Sequence, residues 1–137
     1  MTRRSRAREV AMQLLVQRDF VPDVERAAIE AFVTERLRGQ ELRVFCLQLY
    51  DGVVENIALI NESITKAARN WSLRRMPVVD RNVMRVGAYE LLCHNETPAP
   101  VVVNEAIELV KRFGTADSAS FVNGVLDQIR KSLPEQP

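Results

Sequence analysis

The chain has 137 residues, 47% of them hydrophobic and 27% charged, with a formal net charge of +1. This length suits one domain that buries its core without disulfide staples, so we expect a single domain over residues 1–137. No run approaches the roughly 20 apolar residues of a membrane span, and the N-terminus lacks a signal-peptide core. We therefore expect a cytoplasmic protein without membrane contact. The small net charge does not identify a nucleic-acid binder, so the distribution of charge matters more than its sum.

The first predicted helix runs from about Ser5 to Arg18, after a start rich in arginine. Residues 1–8, which we name the basic N-terminal arm, hold four arginines before the first acidic residue: Arg3, Arg4, Arg6 and Arg8. A helix dipole favours carboxylates in the first turn, so helix stability does not explain these arginines, which we expect to be exposed. Arginine can bind phosphate oxygens through two parallel hydrogen bonds. From charge alone, nucleic-acid binding and a solvated, frayed tail remain equal alternatives.

A long apolar repeat with helical spacing follows from Gln40 to Trp71. Globular helices rarely extend over about 30 residues, so the repeat predicts two helices. We expect the break near Gly52 or, preferably, around residues 61–63. Coiled-coil pairing of one long helix is the alternative, weakened by the few charged residues that flank the repeat.

The next helix, predicted at about residues 77–93, is apolar over most of its circumference and should be the central helix. Gly87 would allow a neighbouring helix to cross closely, and Asp80 suits the positive end of the helix dipole. A loop is expected over residues 94–100, which contain two prolines. No segment alternates with period two. The sequence therefore predicts an all-α, single-domain bundle of about seven helices.

A helical hairpin is predicted from Val101 to Leu126, with the elbow FGTADS at residues 113–118. Gly114 is expected to end the first helix in the left-handed conformation, and residues 115–118, Asp117 among them, to supply capping side chains for the second. Gly124 interrupts that second helix at a cost of about 1 kcal/mol relative to alanine. A helix that keeps such a glycine usually has another backbone or a ligand close by.

No catalytic or metal-binding arrangement is visible in the sequence. The single histidine, His94, is placed at a helix end, where interaction with the dipole is a more common role than catalysis. Cys46 and Cys93 read as buried, small hydrophobic residues. There is no glycine-rich phosphate loop and no nucleophile elbow. We therefore expect a binding protein that uses neither metal nor cofactor.

Three segments together resemble the NusB family of bacterial transcription antitermination factors. They are RRSRARE at the start, NWSLRRMPVVDRNVMRVGAYELL at residues 70–92, and NEAIELVKRFG followed by FVNGVLD near the end. The resemblance implies binding of a short single-stranded boxA element in nascent RNA, jointly with the small ribosomal protein NusE. It also implies that this complex joins the elongating RNA polymerase and favours antitermination, chiefly on ribosomal RNA operons.

The resemblance also assigns roles to individual residues. Those implied in RNA binding are Arg3, Arg4, Arg6, Arg8, Lys111, Arg112 and Asp117. Asp80 matches a position linked in the family to partner and RNA engagement. Val16 stands where some members carry an aromatic residue, so any base stacking must come from elsewhere. Phe20 and Phe121 are the candidates for stacking, although core packing is the expected role of each.

Two other functions stay open at this point. Similar helical modules occur at the N-terminus of ribosomal RNA cytosine methyltransferases, and the chain could be such a module cut from its cofactor-binding domain. Alternatively, it could be a protein-interaction module that forms homodimers through a surface overlapping the RNA site.

Overall fold

The computed structural model describes residues 3–134, which form seven α-helices, one 3₁₀ turn and no strand. The helices are α1 (Arg3–Phe20), α2 (Arg26–Arg36), α3 (Gln40–Glu55), α4 (Ile57–Ala67), α5 (Val78–Cys93), α6 (Ala99–Phe113) and α7 (Ser118–Lys131). The 3₁₀ turn at Leu73–Arg75 connects α4 to α5. This arrangement confirms the predicted all-α class. Within the described range, no helix combines the length and apolarity needed to cross a membrane.

Helix α5 is the central helix, as its apolar sequence predicts. It packs against α1, α3, α4, α6 and α7, and its buried positions occupy most of its circumference. The crossing with α7 is close at Gly87, where a Cβ atom would lie 2.9 Å from Leu126 Cδ1. A second close contact was not predicted. At Gly52 of α3, an added Cβ would overlap the ring of Tyr89 of α5, so only glycine fits under this ring.

The long apolar repeat breaks at Asn56, four residues after Gly52. The Asn56 side-chain amide donates a hydrogen bond to the Gly52 carbonyl oxygen at 2.8 Å, and the Asn56 backbone N–H bonds to the same oxygen. A side chain that competes for a helix carbonyl in this way favours a helix end. The prediction of a break near Gly52 is therefore confirmed. The preferred position at residues 61–63 is wrong, because these residues lie inside α4.

Three further expectations differ from the structure. The basic N-terminal arm is helical from Arg3 onward, and residues 1–2 lie outside the described range. Pro100 belongs to the first turn of α6 and not to a loop, since a proline there removes an N–H that has no helical partner. Cys93 is exposed at the end of α5, whereas Cys46 is buried as expected.

A polar junction joins the end of α1 to the start of α5. The Asp19 carboxylate accepts hydrogen bonds from Arg81 at 2.8 Å, from Asn82 at 2.8 Å and from Arg85 at 2.9 Å. Burial alone would raise the pKa of Asp19. Hydrogen bonds from Asn82 and Arg81 and the charge of Arg85 outweigh it and hold the pKa below the ordinary value of 3.8.

We expect Asp19→Asn to lower the free energy of unfolding at pH 7 by about 1.5–3 kcal/mol, the range for hydrogen bonds to charged groups. Because the pKa of Asp19 is lower in the folded chain, its stabilisation is complete above the unfolded pKa. It is lost as the pH falls through the folded pKa. Urea unfolding of both chains between pH 7 and pH 2 should therefore show the difference shrinking in acid. A difference independent of pH would contradict the assignment, and the exposed Glu35→Gln variant is the control.

Candidate RNA interface

The arginines of α1 point to different sides of the helix. Arg3 and Arg4 are exposed. The Arg4 guanidinium carbon lies 4.3 Å from the ring centroid of Phe45 on α3, so Arg4 stacks on an aromatic face. Arg6, half-exposed, forms an ion pair with Glu9 on the side that faces α6.

Arg8 is buried, and the expectation that it is exposed is wrong. Its side chain is 4% exposed and that of Glu90 on α5 is 1% exposed. Arg8 Nε and Nη2 donate to the two Glu90 carboxylate oxygens at 2.8 and 2.9 Å, and Arg8 Nη1 lies 3.8 Å from Glu105 of α6. The reason is helical spacing: position 8 shares a face with the buried Ala11 and Leu15. Arg8 therefore holds three helices together.

A buried carboxylate joins the two predicted parts of the interface. Glu9 accepts hydrogen bonds from Arg6 on its own helix and from Arg112 Nη1 of α6, the latter at 2.7 Å. Nearby, the Ser5 hydroxyl lies 2.6 and 2.8 Å from the two oxygens of Glu105 and completes the contact between α1 and α6. The start of the chain and the segment beside the elbow thus share one surface. We name Arg3, Arg4, Arg6, Lys111 and Arg112 the basic surface.

Asp80, in the first turn of α5, holds the elbow between α6 and α7 in place. The Ser118 hydroxyl donates to Asp80 Oδ1 at 2.7 Å and accepts the Thr115 N–H at 2.9 Å. Asp80 is buried, so its side chain can act on a partner only through the elbow that it holds. Gly114 has φ −97° and not the predicted left-handed conformation. Glycine is required for space, because a Cβ would lie 2.6 Å from Ser118 Oγ and 2.8 Å from the Val110 carbonyl oxygen.

Asp117, Lys111 and Gly124 are all exposed. Asp117 occupies the N-cap position of α7, but its side chain makes no capping hydrogen bond, so the predicted capping role is wrong. Ser118, which the predicted capping range includes, supplies the elbow's side-chain hydrogen bond. No atom of the described residues outside the local helix lies within 4 Å of a Cβ built on Gly124, so packing within residues 3–134 does not explain this glycine.

The two aromatic candidates for base stacking lie in different places. Phe20 is 71% exposed at the C-terminal end of α1, about 25 Å from its first turn at 1.5 Å per residue. Core packing is therefore not its role, and it does not join the basic surface. Phe121 lies within one turn of the elbow, half-buried, and its ring meets that of Trp71 edge to face at 6.3 Å.

Sequence reasoning missed the acidic partners of the arginines of α1: Glu9, Glu90 and Glu105. Arg6 and Glu9 are three residues apart, the spacing of a helical ion pair, and this signal was available. Glu90 and Glu105 carry no such local signal. They are recognised only when α5 packs on α1 and brings α6 within reach of the arginine side chains.

The fold and its surface define a helical-bundle protein in which Arg6 of α1 and Arg112 of α6 meet at one carboxylate, an arrangement suited to phosphate groups. Among the described residues, no group of histidine, cysteine and carboxylate side chains could hold a metal ion. The NusB family matches residues 5–131. The chain is 42% identical over 130 residues to the transcription antitermination protein NusB of Sorangium cellulosum, covering 95% of this chain and 93% of that protein. This chain belongs to the NusB family.

Solved structures agree with this assignment. NusB of T. maritima is 37% identical and superimposes with a TM-score of 0.83, covering 96% of this chain and 92% of that chain. A chain in the crystal structure of antitermination factors NusB and NusE with double-stranded RNA is 28% identical. Its TM-score is 0.87, covering 97% of this chain and 99% of that chain.

Proposed function

We propose that this chain is a transcription antitermination factor. It binds a short single-stranded boxA element of nascent RNA together with the small ribosomal protein NusE. The complex supports transcription of ribosomal RNA operons by the elongating RNA polymerase. The chain works as one domain in the cytoplasm, by binding and not by catalysis.

The observation that carries this proposal is the hydrogen bond between Arg112 and Glu9. These residues lie 103 positions apart in sequence, yet their side chains meet at 2.7 Å. Arg6 bonds to the same carboxylate, so the start of α1 and the end of α6, which the sequence singled out separately, meet at Glu9. The relatives named as antitermination proteins, and the solved complex that contains NusE and RNA, support the same function.

The test is a titration of boxA RNA with the chain alone and with its cognate NusE. We expect NusE to tighten RNA binding, because the basic surface covers only a few nucleotides and a second protein extends it. Linkage then requires RNA to tighten the protein pair by the same factor. Unchanged boxA affinity in the presence of NusE would contradict a composite site. Repeating the titration at several protein concentrations reveals whether a homodimer competes with RNA.

Asp117→Asn is expected to leave stability unchanged, because Asp117 is exposed and caps no helix. The same change should tighten RNA binding a few-fold at low salt, since it removes a negative charge from the elbow, five residues after Arg112 in the sequence. The gain should shrink as salt rises and screens the charge. RNA titrations at two salt concentrations and a thermal melt measure both effects. Weaker binding would show that the carboxylate positions the elbow, and Glu35→Gln on the distant α2 is the control.

A further inference from the structure

We propose that Arg6 and Arg112 form a single binding site for one phosphate group, which the buried Glu9 carboxylate holds in shape. This inference rests on the proposed RNA binding and deepens it. It says that one phosphodiester bridges α1 and α6, and that Glu9 is a positioning residue that does not itself touch RNA. We name these three residues the phosphate clamp.

The geometry of the clamp follows from one shared acceptor. Arg6 Nη1 bonds to Glu9 Oε2 and Arg112 Nη1 bonds to Glu9 Oε1. The two guanidinium groups are thus separated by no more than one carboxylate and two hydrogen bonds. A phosphate offers several oxygens, and arginine presents its donors in a planar fork that can bind two of them. Two forks at this separation can converge on one phosphate.

Exposure separates the roles of the three side chains. Those of Arg6 and Arg112 are 40% and 43% exposed, whereas that of Glu9 is 4% exposed. The guanidinium groups are therefore accessible to RNA, and the carboxylate lies beneath them. A buried carboxylate with two arginine partners restricts their rotamers before RNA arrives, which reduces the ordering cost of binding.

The charge of the clamp matches one phosphodiester. Two guanidinium groups and one carboxylate leave one net positive charge, and a phosphodiester carries one negative charge. Arg4 provides a contrast, because it stacks on Phe45 instead of joining the carboxylate. We therefore assign Arg4 to a different phosphate.

The first experiment is a double-mutant cycle with Arg6→Gln and Arg112→Gln. Glutamine is neutral but can still donate to Glu9, so the fold is kept. For single-stranded RNA, each phosphate contact contributes about −0.7 to the slope of log affinity against log salt, so the loss of one contact makes the slope shallower by about 0.7. If both arginines hold one phosphate, the double variant loses about 0.7 in total and the affinity losses are not additive. A loss of about 1.4 with additive effects would overturn the clamp. The matched cycle of Arg4→Gln with Arg112→Gln should be additive.

The second experiment is Glu9→Gln, which tests positioning. We expect RNA affinity to fall several-fold although a negative charge has been removed, because the two guanidinium groups lose their common acceptor. Asp117→Asn removes a charge from the exposed elbow without changing a clamp residue and is expected to act in the opposite direction. Tighter binding by Glu9→Gln would show that Glu9 acts only through its charge. If this variant fails to fold, the double-mutant cycle of Arg6→Gln with Arg112→Gln still tests whether the two arginines share one phosphate.

The two cycles are measured on a boxA RNA and on an RNA of equal length and scrambled sequence. The clamp contacts phosphate and not bases, so coupling between Arg6 and Arg112 should appear with both RNAs. Equal affinity for the two sequences would contradict the proposed function and leave the clamp intact. Additive losses with both RNAs, or binding of neither, would overturn the clamp.

Discussion

Replacing Arg8 by alanine is expected to lower the free energy of unfolding by about 3–5 kcal/mol, the largest effect of any substitution considered for this chain. The change removes both hydrogen bonds to Glu90 and leaves that carboxylate buried between α1 and α5 without its cation. A charge that is removed from water and left unpaired costs far more than a lost surface contact. Urea unfolding of the variant at pH 7 measures the loss.

A paired substitution separates charge burial from packing. Arg8→Met combined with Glu90→Leu replaces the ion pair by apolar side chains, and such replacements are often neutral or stabilising. We therefore expect the double variant to recover most of the stability lost by Arg8→Ala. Arg4→Ala on the same helix is the surface control and should cost less than 1 kcal/mol. Equal losses for Arg4→Ala and Arg8→Ala would show that the Arg8–Glu90 pair does not stabilise the fold.

Replacing Arg3 and Arg4 together by glutamine is expected to reduce boxA RNA affinity roughly a hundredfold. Each charge-assisted hydrogen bond contributes about 1.5 kcal/mol or more, and two such losses multiply in the equilibrium constant. The slope of log affinity against log salt is negative and should become shallower by about 1.4, since each single-strand phosphate contact contributes about 0.7 to its magnitude. The melting temperature should change little, because both side chains are exposed.

The control for this variant removes equal charge elsewhere. Lys66→Gln with Arg69→Gln takes two exposed cations from the end of α4 and the residues after it. A general electrostatic attraction would weaken RNA binding equally in both double variants. A specific contact weakens it only in the Arg3 and Arg4 variant, and an unchanged salt slope there would remove these residues from the interface.

Helix content and the central position of α5 were predictable because apolar spacing reports directly on burial. Gly87 was also interpretable, since a small residue in an otherwise apolar helix indicates a close crossing. The sequence preferred a helix break at residues 61–63 over the one found at Asn56. The break at Asn56 depends on one side-chain hydrogen bond to a carbonyl, which apolar spacing does not report. Gly114 was identified as essential for the elbow, but for the wrong reason. Its neighbours leave no room for a Cβ, and an argument about the sign of its φ angle cannot reveal such crowding.

The basic surface was predictable in composition but not in arrangement. Arginine content alone cannot distinguish Arg8 from Arg6, because both follow the same motif and differ only in the direction their side chains take from α1. That direction is decided by partners on α5 and α6. Glu90 lies 82 positions after Arg8, beyond the range of any local pattern. The distribution of charge in the sequence thus indicated where the basic surface lies. Which of its cations are exposed depends on tertiary packing.

The same distances in sequence set the order in which the interface can form during synthesis. The arginines of α1 leave the ribosome first, but Glu90 follows Arg8 by 82 residues and Arg112 follows Glu9 by 103. Contacts of such long range form only after the intervening chain has been made. A growing polypeptide that stops before α6 therefore carries the N-terminal arginines without the scaffold that orients them. The capacity to hold RNA in a defined geometry arises only after α6 has been synthesised and has reached α1.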